Sequence, residues 1–216
     1  AAVDGDGVTV KRIVDDLQDR AGISGYIDTD DALDVVTGFR LDRATSLSAI
    51  EDLATIFDYD FADFGAKHIL RPRVETPILE IDLDDMGADV GKPKRDWLSY
   101  RISSVTDLPK RVEVSFADTR GDYENNIAYA FFPGDSVKGN RTARVSTSVS
   151  MTVTEAKAAA YRIMAAMYRK MMAAKTSLPI HKYGHLTPGD VVQFTDTGDL
   201  TNWKIEAVQG AYALDF

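Results

Sequence analysis

Residues 152–175, TVTEAKAAAYRIMAAMYRKMMAAK, contain neither proline nor glycine and repeat their apolar side chains at helical spacing. Ala156, Ala160, Ile163, Met164, Met167 and Met171 share one face. Thr152 and Glu155 have the spacing of a capping box, and Arg169, Lys170 and Lys175 sit where the negative end of a helix dipole favours cations. This predicts one long helix near 153–174. The segments around it alternate with period two instead: RVEVSFAD (111–118), the run Ile127–Phe132, ARVSTSVSM (143–151), DVVQFTD (190–196) and NWKIEAVQ (202–209). Such alternation predicts half-buried strands, and TSLPIH (176–181) is read as a further one.

The N-terminal third mixes both periods. Val10, Ile13, Val14 and Leu17 predict a helix capped by Thr9 and closed at Gly22. VVTGFR (35–40) predicts a short strand. SLSAIEDLATIF (46–57) predicts a second helix with Leu47, Ile50, Leu53, Ala54 and Phe57 on one face; Ser48 with Glu51 has capping-box spacing, and Thr45 or Ser46 is an alternative cap. A hairpin around Gly65 ends at Pro72. Between 74 and 110, PILEIDL and YRISSV read as strands flanking a polar loop, DDMGADVGKPKRDW. The expected fold class is α+β and rich in β: a small helix–strand–helix–hairpin unit over 1–75, then a β-barrel-like region over 76–216 crossed by the long helix.

No apolar run approaches the roughly 20 residues of a membrane-spanning helix, so membrane insertion by this segment is not expected. The opening AAVDGDGVTV has neither the basic nor the apolar region of a signal peptide, and both ends are abrupt, as in a piece cut from a longer polypeptide. Cysteine is absent, which excludes disulfides, thiolate metal sites and cysteine nucleophiles. Charge is uneven: residues 1–91 hold 21 acidic and 8 basic side chains, net −13, and residues 92–216 hold 13 and 17, net +4. An acidic half repels nucleic-acid phosphate rather than gripping it.

Candidate chemistry is sparse. His181 and His185 in HKYGH stand four apart, as zinc ligands on a helix do, but Pro179, Gly184 and Pro188 argue against a helix there and no third ligand is suggested. His68 is read as a packing or surface residue. Asp82, Asp84 and Gly87 match calcium-loop positions 1, 3 and 6, yet Met86 and Pro93 occupy positions 5 and 12, where ligands belong. The segment DGDG (4–7) fails in the same way. No phosphate-binding glycine loop and no G-x-S-x-G elbow occurs. Asp58 and Asp60 are close in sequence, but in so acidic a chain proximity alone does not mark an acid–base pair. The expected reading is non-enzymatic, with no cofactor and no metal.

Two stretches carry a family resemblance. The first is VTVKRIVDDLQDRAGISGY with VVTGFRLDRATSLSAIEDLATIFDYDFADFGAKHILRPR; the second is RVEVSFADTRGDYENN, the long helix, and SLPIHKYGHLTPGDVVQF with WKIEAV. Together, over about residues 8–73 and 110–210, they resemble the tail hub, tail-tip and baseplate-hub proteins of long-tailed phages, prophages and gene transfer agents, the phage tail protein family. Residues 76–109 match no part of that pattern. The resemblance implies a virion structural protein of the tail tip, made in the bacterial host cytoplasm. It implies a homotrimeric ring with two small barrel-like domains per subunit, contacts to the tail tube and other tip proteins, and DNA passing without specific binding.

On that reading HLTPGDVVQF (185–194) is scaffold: Pro188 and Gly189 suit a turn corner, Asp190 suits bonding to local amides, and the turn sets the register of the following strand. A Pro-Gly-Asp turn before a strand also occurs in LysM-like wall-binding modules, whose flanking short helices are not expected here. The acidic half gains a role, with Asp82, Asp84, Asp85 and Asp89 facing the ring lumen so that phosphate slides past. Two rival readings remain. A carbohydrate- or cell-wall-binding module requires exposed aromatics in a groove, from among Trp97, Tyr123, Tyr129 and Trp203. A tail-associated hydrolase requires a cleft with two converging carboxylates, one of raised pKa.

Overall fold

A computed structural model describes residues 7–40, 45–63, 67–87, 99–104, 108–132, 141–195, 202–205 and 208. The chain forms two compact units, one of residues 1–72 and 103–171, the other of residues 73–102 and 172–216. This differs from a division at 75/76. The alternating strands of 111–151 and the long helix cover the N-terminal helices rather than the C-terminal strands, so the chain leaves the first unit at 73, re-enters at 103 and leaves again at 172.

In the first unit, β1 (Val8–Thr9) leads into α1 (Val10–Ala21). Thr9 accepts a hydrogen bond from the Arg12 amide, and Gly22, at φ 73°, closes the helix in the left-handed region that glycine enters without steric cost. The extended segment that follows contains β2 (Ile27–Asp28), β3 (Val35–Val36) and β4 (Gly38–Phe39). VVTGFR is therefore two short strands: β3 pairs with β1 and β4 with the large sheet. Helix α2 (Ser46–Phe57) takes its cap from Thr45, whose Oγ1 accepts from the Ser48 amide. Its buried stripe is Ala49, Ile50, Leu53, Ala54 and Ile56; Leu47, expected inside, is exposed and Phe57 is half-buried.

The hairpin forms as expected from β5 (Tyr59–Asp63) and β6 (His68–Pro72), with β2 parallel to β6 on its other side. The main sheet has the order β10-β9-β11-β4, where β9 is Arg111–Asp118, β10 Asn125–Phe131 and β11 Thr142–Met151. β9 and β10 are antiparallel neighbours, whereas β9 and β11 run parallel with a register shift between Ser146 and Ser150. Helix α3 (Val153–Arg169) covers the inner face of this sheet, opened by the predicted capping box of Thr152 and Glu155. Val112, Val114 and Phe116 alternate inward from β9 onto Ala156, Ala159, Ala160, Ile163 and Met164. The alanines let helix and sheet approach closely.

The long helix is shorter than its sequence pattern. It stops at Arg169, and Met172–Lys175 form β12, antiparallel to β8 (Ser99–Ile102). MAAK has high helix propensity, but pairing with the backbone of β8 outweighs the fractions of a kcal/mol that propensity supplies per residue. Met171, expected on the helix face, lies beyond its end, and its carbonyl accepts from the Ser103 amide (2.9 Å). In the second unit, β13 (Val191–Phe194) is the central strand between β7 (Leu79–Ile81), parallel to it, and β14 (Asn202–Lys204), antiparallel. TSLPIH is not a strand; Pro179 instead opens a single helical turn, α4 (Ile180–Tyr183). A second core gathers Ile81, Met86, Leu186, Val192 and Phe194, with Trp203 stacked on Phe194 at 5.9 Å. The α+β class holds, but among the described residues the strands form separate sheets of two to four strands and none closes into a barrel.

Candidate functional site

The acidic turn after β7 was the main candidate. Asp82 is exposed and its Oδ1 accepts from the Asp84 amide (3.1 Å), tightening a 3₁₀ turn over Leu83–Asp85. Asp84 is exposed as well. Asp85 is not a free carboxylate: Lys182 Nζ donates to both its oxygens (2.8 and 3.0 Å) and the Tyr183 hydroxyl donates to Oδ2 (2.7 Å). It anchors α4 to the acidic turn. Asp89 lies outside the described residues. The four carboxylates thus differ in role, and sequence spacing could not separate the two exposed ones from the one engaged by Lys182, about a hundred positions away.

The hydrogen bonds from Lys182 and Tyr183 hold the Asp85 carboxyl below the ordinary carboxylate range. A depressed native pKa contributes stability that is present above the unfolded value near 4 and is lost as pH falls through the native one. Asp85→Asn is therefore expected to flatten the acid limb of the second unit's unfolding curve, followed by the fluorescence of Trp203, which packs in that unit's core. An unchanged acid limb in the variant would show that this contact does not contribute.

The turn at 187–190 is structural in every bond it makes. The Asp190 amide donates to the Thr187 carbonyl (3.2 Å), and the Asp190 carboxylate accepts from the Thr187 amide (2.8 Å) and hydroxyl (2.7 Å). Gly189 has φ 95°, as the third position of a type II turn demands after Pro188. Its amide donates to Ile205, whose own amide donates to the Asp190 carbonyl (both 2.8 Å), which clamps the turn to β14. Val191 and Val192 are both buried, because β13 is covered on both faces rather than one. One short helix, α4, does precede the turn, contrary to the expectation of no flanking helix.

The remaining candidates separate in space or are occupied. His181 ends up on α4 and His185 beyond it, both exposed, so the proline and glycine permit one helical turn but not the shared face that two ligands need. Among the described residues no three histidine or acidic side chains gather as a metal site. His68 packs edge-on to Tyr26 (5.0 Å) and tilted on Phe61 (5.1 Å). Asp58, in the left-handed region at the end of α2, accepts from Arg169 (2.6 Å), while Asp60 is buried opposite Arg71 in the hairpin. Burial raises the Asp52 pKa, but its partners are the Thr147 hydroxyl (3.1 Å) and the Ser148 amide (2.7 Å), which fasten α2 to β11. Of the aromatics, Trp97 lies outside the described residues, Trp203 is half-buried, and Tyr123 and Tyr129 are exposed.

Residue typing for catalysis missed the exposed apolar face of β10. Ile127, Tyr129 and Phe131 point outward while Ala128 and Ala130 point into the core, an inversion of the usual size preference. The signal was present in NNIAYAF as large–small alternation.

The fold agrees with known tail proteins. A chain in the virion of a native gene transfer agent particle superposes with a TM-score of 0.81 at 20% identity, over 93% of this chain and 44% of that one. A tail protein from Neisseria meningitidis MC58 gives 0.59 at 11% identity, over 94% and 62%. The 43 kDa tail protein of prophage MuSo2 from Shewanella oneidensis gives 0.52 at 14%, over 89% and 55%. The chain thus spans less than two thirds of each of these proteins. No curated protein matches it by sequence. Sheet, helix and turn together define the fold class of phage-type tail proteins. The chain belongs to the family described as "Putative phage tail protein", whose model matches residues 45–208, and is a structural tail protein.

Proposed function

We propose that the chain is a subunit of a tail hub or tail tip, joining the tail tube to the distal tip as part of a homotrimeric ring around the DNA path. The observation that carries this reading is the 0.81 superposition, over nearly the whole chain, on a component of a gene transfer agent virion. In the ring, Asp82 and Asp84 line the lumen and repel passing phosphate, with Asp85 bracing the turn that presents them. Contacts to the tube and to other tip proteins, and a location in the virion, belong to the same proposal. It assigns no catalytic activity to the chain.

Light scattering across a concentration series tests the ring: a mass rising toward three copies is expected, and a monomer at every concentration counts against it. An assembled ring with Asp82 and Asp84 on its outer wall would overturn the lumen assignment.

A further inference from the structure

We infer that the first unit carries a matched pair of surfaces, one on the edge strand β10 of its four-stranded sheet and one on the segment that precedes β4, through which one copy of this chain docks head to tail on the next. The inference rests on the ring reading and adds the residues that make the contact.

One surface is the outer face at the β10 edge. Ile127, Tyr129 and Phe131 are 46%, 41% and 54% exposed, in a row on a strand whose only described ladder partner is β9. The register places them beside Ser115, Glu113 and Arg111 of β9, and these beside Ser146, Arg144 and Thr142 of β11. Glu113 bridges Arg111 and Arg144, so the polar part of this face has two guanidinium groups against one carboxylate, and Arg111 lies over the Tyr129 ring at 5.4 Å.

The other surface lies past the opposite edge. The edge strand there, β4, is reached directly from β3, and Leu33 and Val35 are 65% and 57% exposed just before it. Four exposed aspartates, Asp28, Asp30, Asp31 and Asp34, lie on the same segment, with Lys11 paired to Asp30 and the Tyr59 hydroxyl donating to Asp34. Beside them a depression of about 230 Å³ is lined by Val35, Val36 and Phe57 together with Asp34, Glu155 and Arg162.

An apolar row flanked by two arginines and one glutamate, and an apolar pair flanked by four aspartates and one lysine, are complementary in charge. Each surface carries an excess of one sign, so its charges are better matched by the other surface than by a second copy of itself. Two different surfaces on one unit are what a head-to-tail contact requires, and such contacts close into rings when the rotation per copy permits. The occupant is therefore a second copy of this chain, with Tyr129 or Phe131 entering the hollow and Arg144 meeting Asp31. A contact built on these charges weakens with added salt.

The chain contains no cysteine, so engineered thiols report contacts without background. Leu33→Cys and Ile127→Cys are exposed changes that leave Tyr129 and Phe131 in place. After mild oxidation, the two single variants mixed together are expected to give a disulfide-linked pair, and the double variant linked products beyond two copies. Each single variant alone should give little product. Efficient linking of Ile127→Cys with itself would overturn the head-to-tail assignment. In light scattering, Asp31→Lys and Arg144→Glu are each expected to weaken association about tenfold or more, and their combination to restore most of it. Copies that associate without linking 33 to 127, and without this rescue, would leave the ring reading standing and sink these surfaces. A chain that is monomeric at all concentrations and never links would overturn self-association itself.

Discussion

Phe116→Ala is expected to destabilise the first unit by about 3–5 kcal/mol. Phe116 is the largest of the fully buried side chains and sits mid-sheet on β9, the strand that pairs with both β10 and β11. Truncating it removes the ring's burial and leaves a cavity that close-packed neighbours fill only in part. Around it, α3 contributes alanines, which have no length with which to reach into the space. A urea titration followed by far-UV circular dichroism measures the effect as a lower midpoint at similar slope. A loss below about 1 kcal/mol would mean that the sheet and α3 close over the gap, and that this layer is plastic rather than the rigid centre of the unit.

Gln18 is the second position of large effect, for a different reason. It is buried on α1, and its side-chain amide pairs with both backbone groups of Ile27. The Ile27 amide donates to Oε1 (2.7 Å), and Nε2 donates to the Ile27 carbonyl (3.1 Å). The side chain thus continues the sheet order β2-β6-β5 by one rung, and Thr29 is tied to the same helix through Asp15 (3.0 Å). Gln18→Ala strands two buried backbone groups, at about 1–3 kcal/mol each, so a total loss of about 2–6 kcal/mol is expected. Gln18→Met separates the causes, because it keeps the volume and loses the bonds. Most of the loss should persist in Met, with faster amide exchange at Ile27. A Met variant as stable as the parent would show that packing, not pairing, holds this helix to β2.

Both positions bear on the proposed contact. Gln18 fixes the start of the acidic segment that carries Leu33 and Val35, and Phe116 underlies the sheet whose far edge presents Tyr129 and Phe131. The interaction surfaces are thus held by rigid elements on their inner sides, which is how a surface keeps a fixed shape for a partner.

Local structure was legible wherever one element's own residues determine it. Thr9 and Gly22 bound α1, Thr152 and Glu155 open α3, and Pro188–Gly189–Asp190 makes its turn, because caps and tight turns satisfy backbone groups only a few residues apart. The alternation of RVEVSFAD likewise stated which side of β9 is buried. The large–small order of NNIAYAF was equally visible, but its meaning depends on which side the core lies. Asp82, Asp84 and Asp85 are alike in sequence; only the approach of α4 makes one of them an anchor.

By itself, then, the sequence determined the three longer helices and most strands, the α+β class, the capping and turn chemistry, and the family resemblance. Tertiary structure decided where α3 ends, since β8 offers Met172–Lys175 a ladder that local propensity cannot foresee. It also decided that 111–171 packs with the N-terminal helices, that β13 is covered on both faces, and that Gln18 completes a sheet. All but the last depend on contacts between residues far apart in the chain, and the periodicity of a single segment records which side is apolar but not what will cover it.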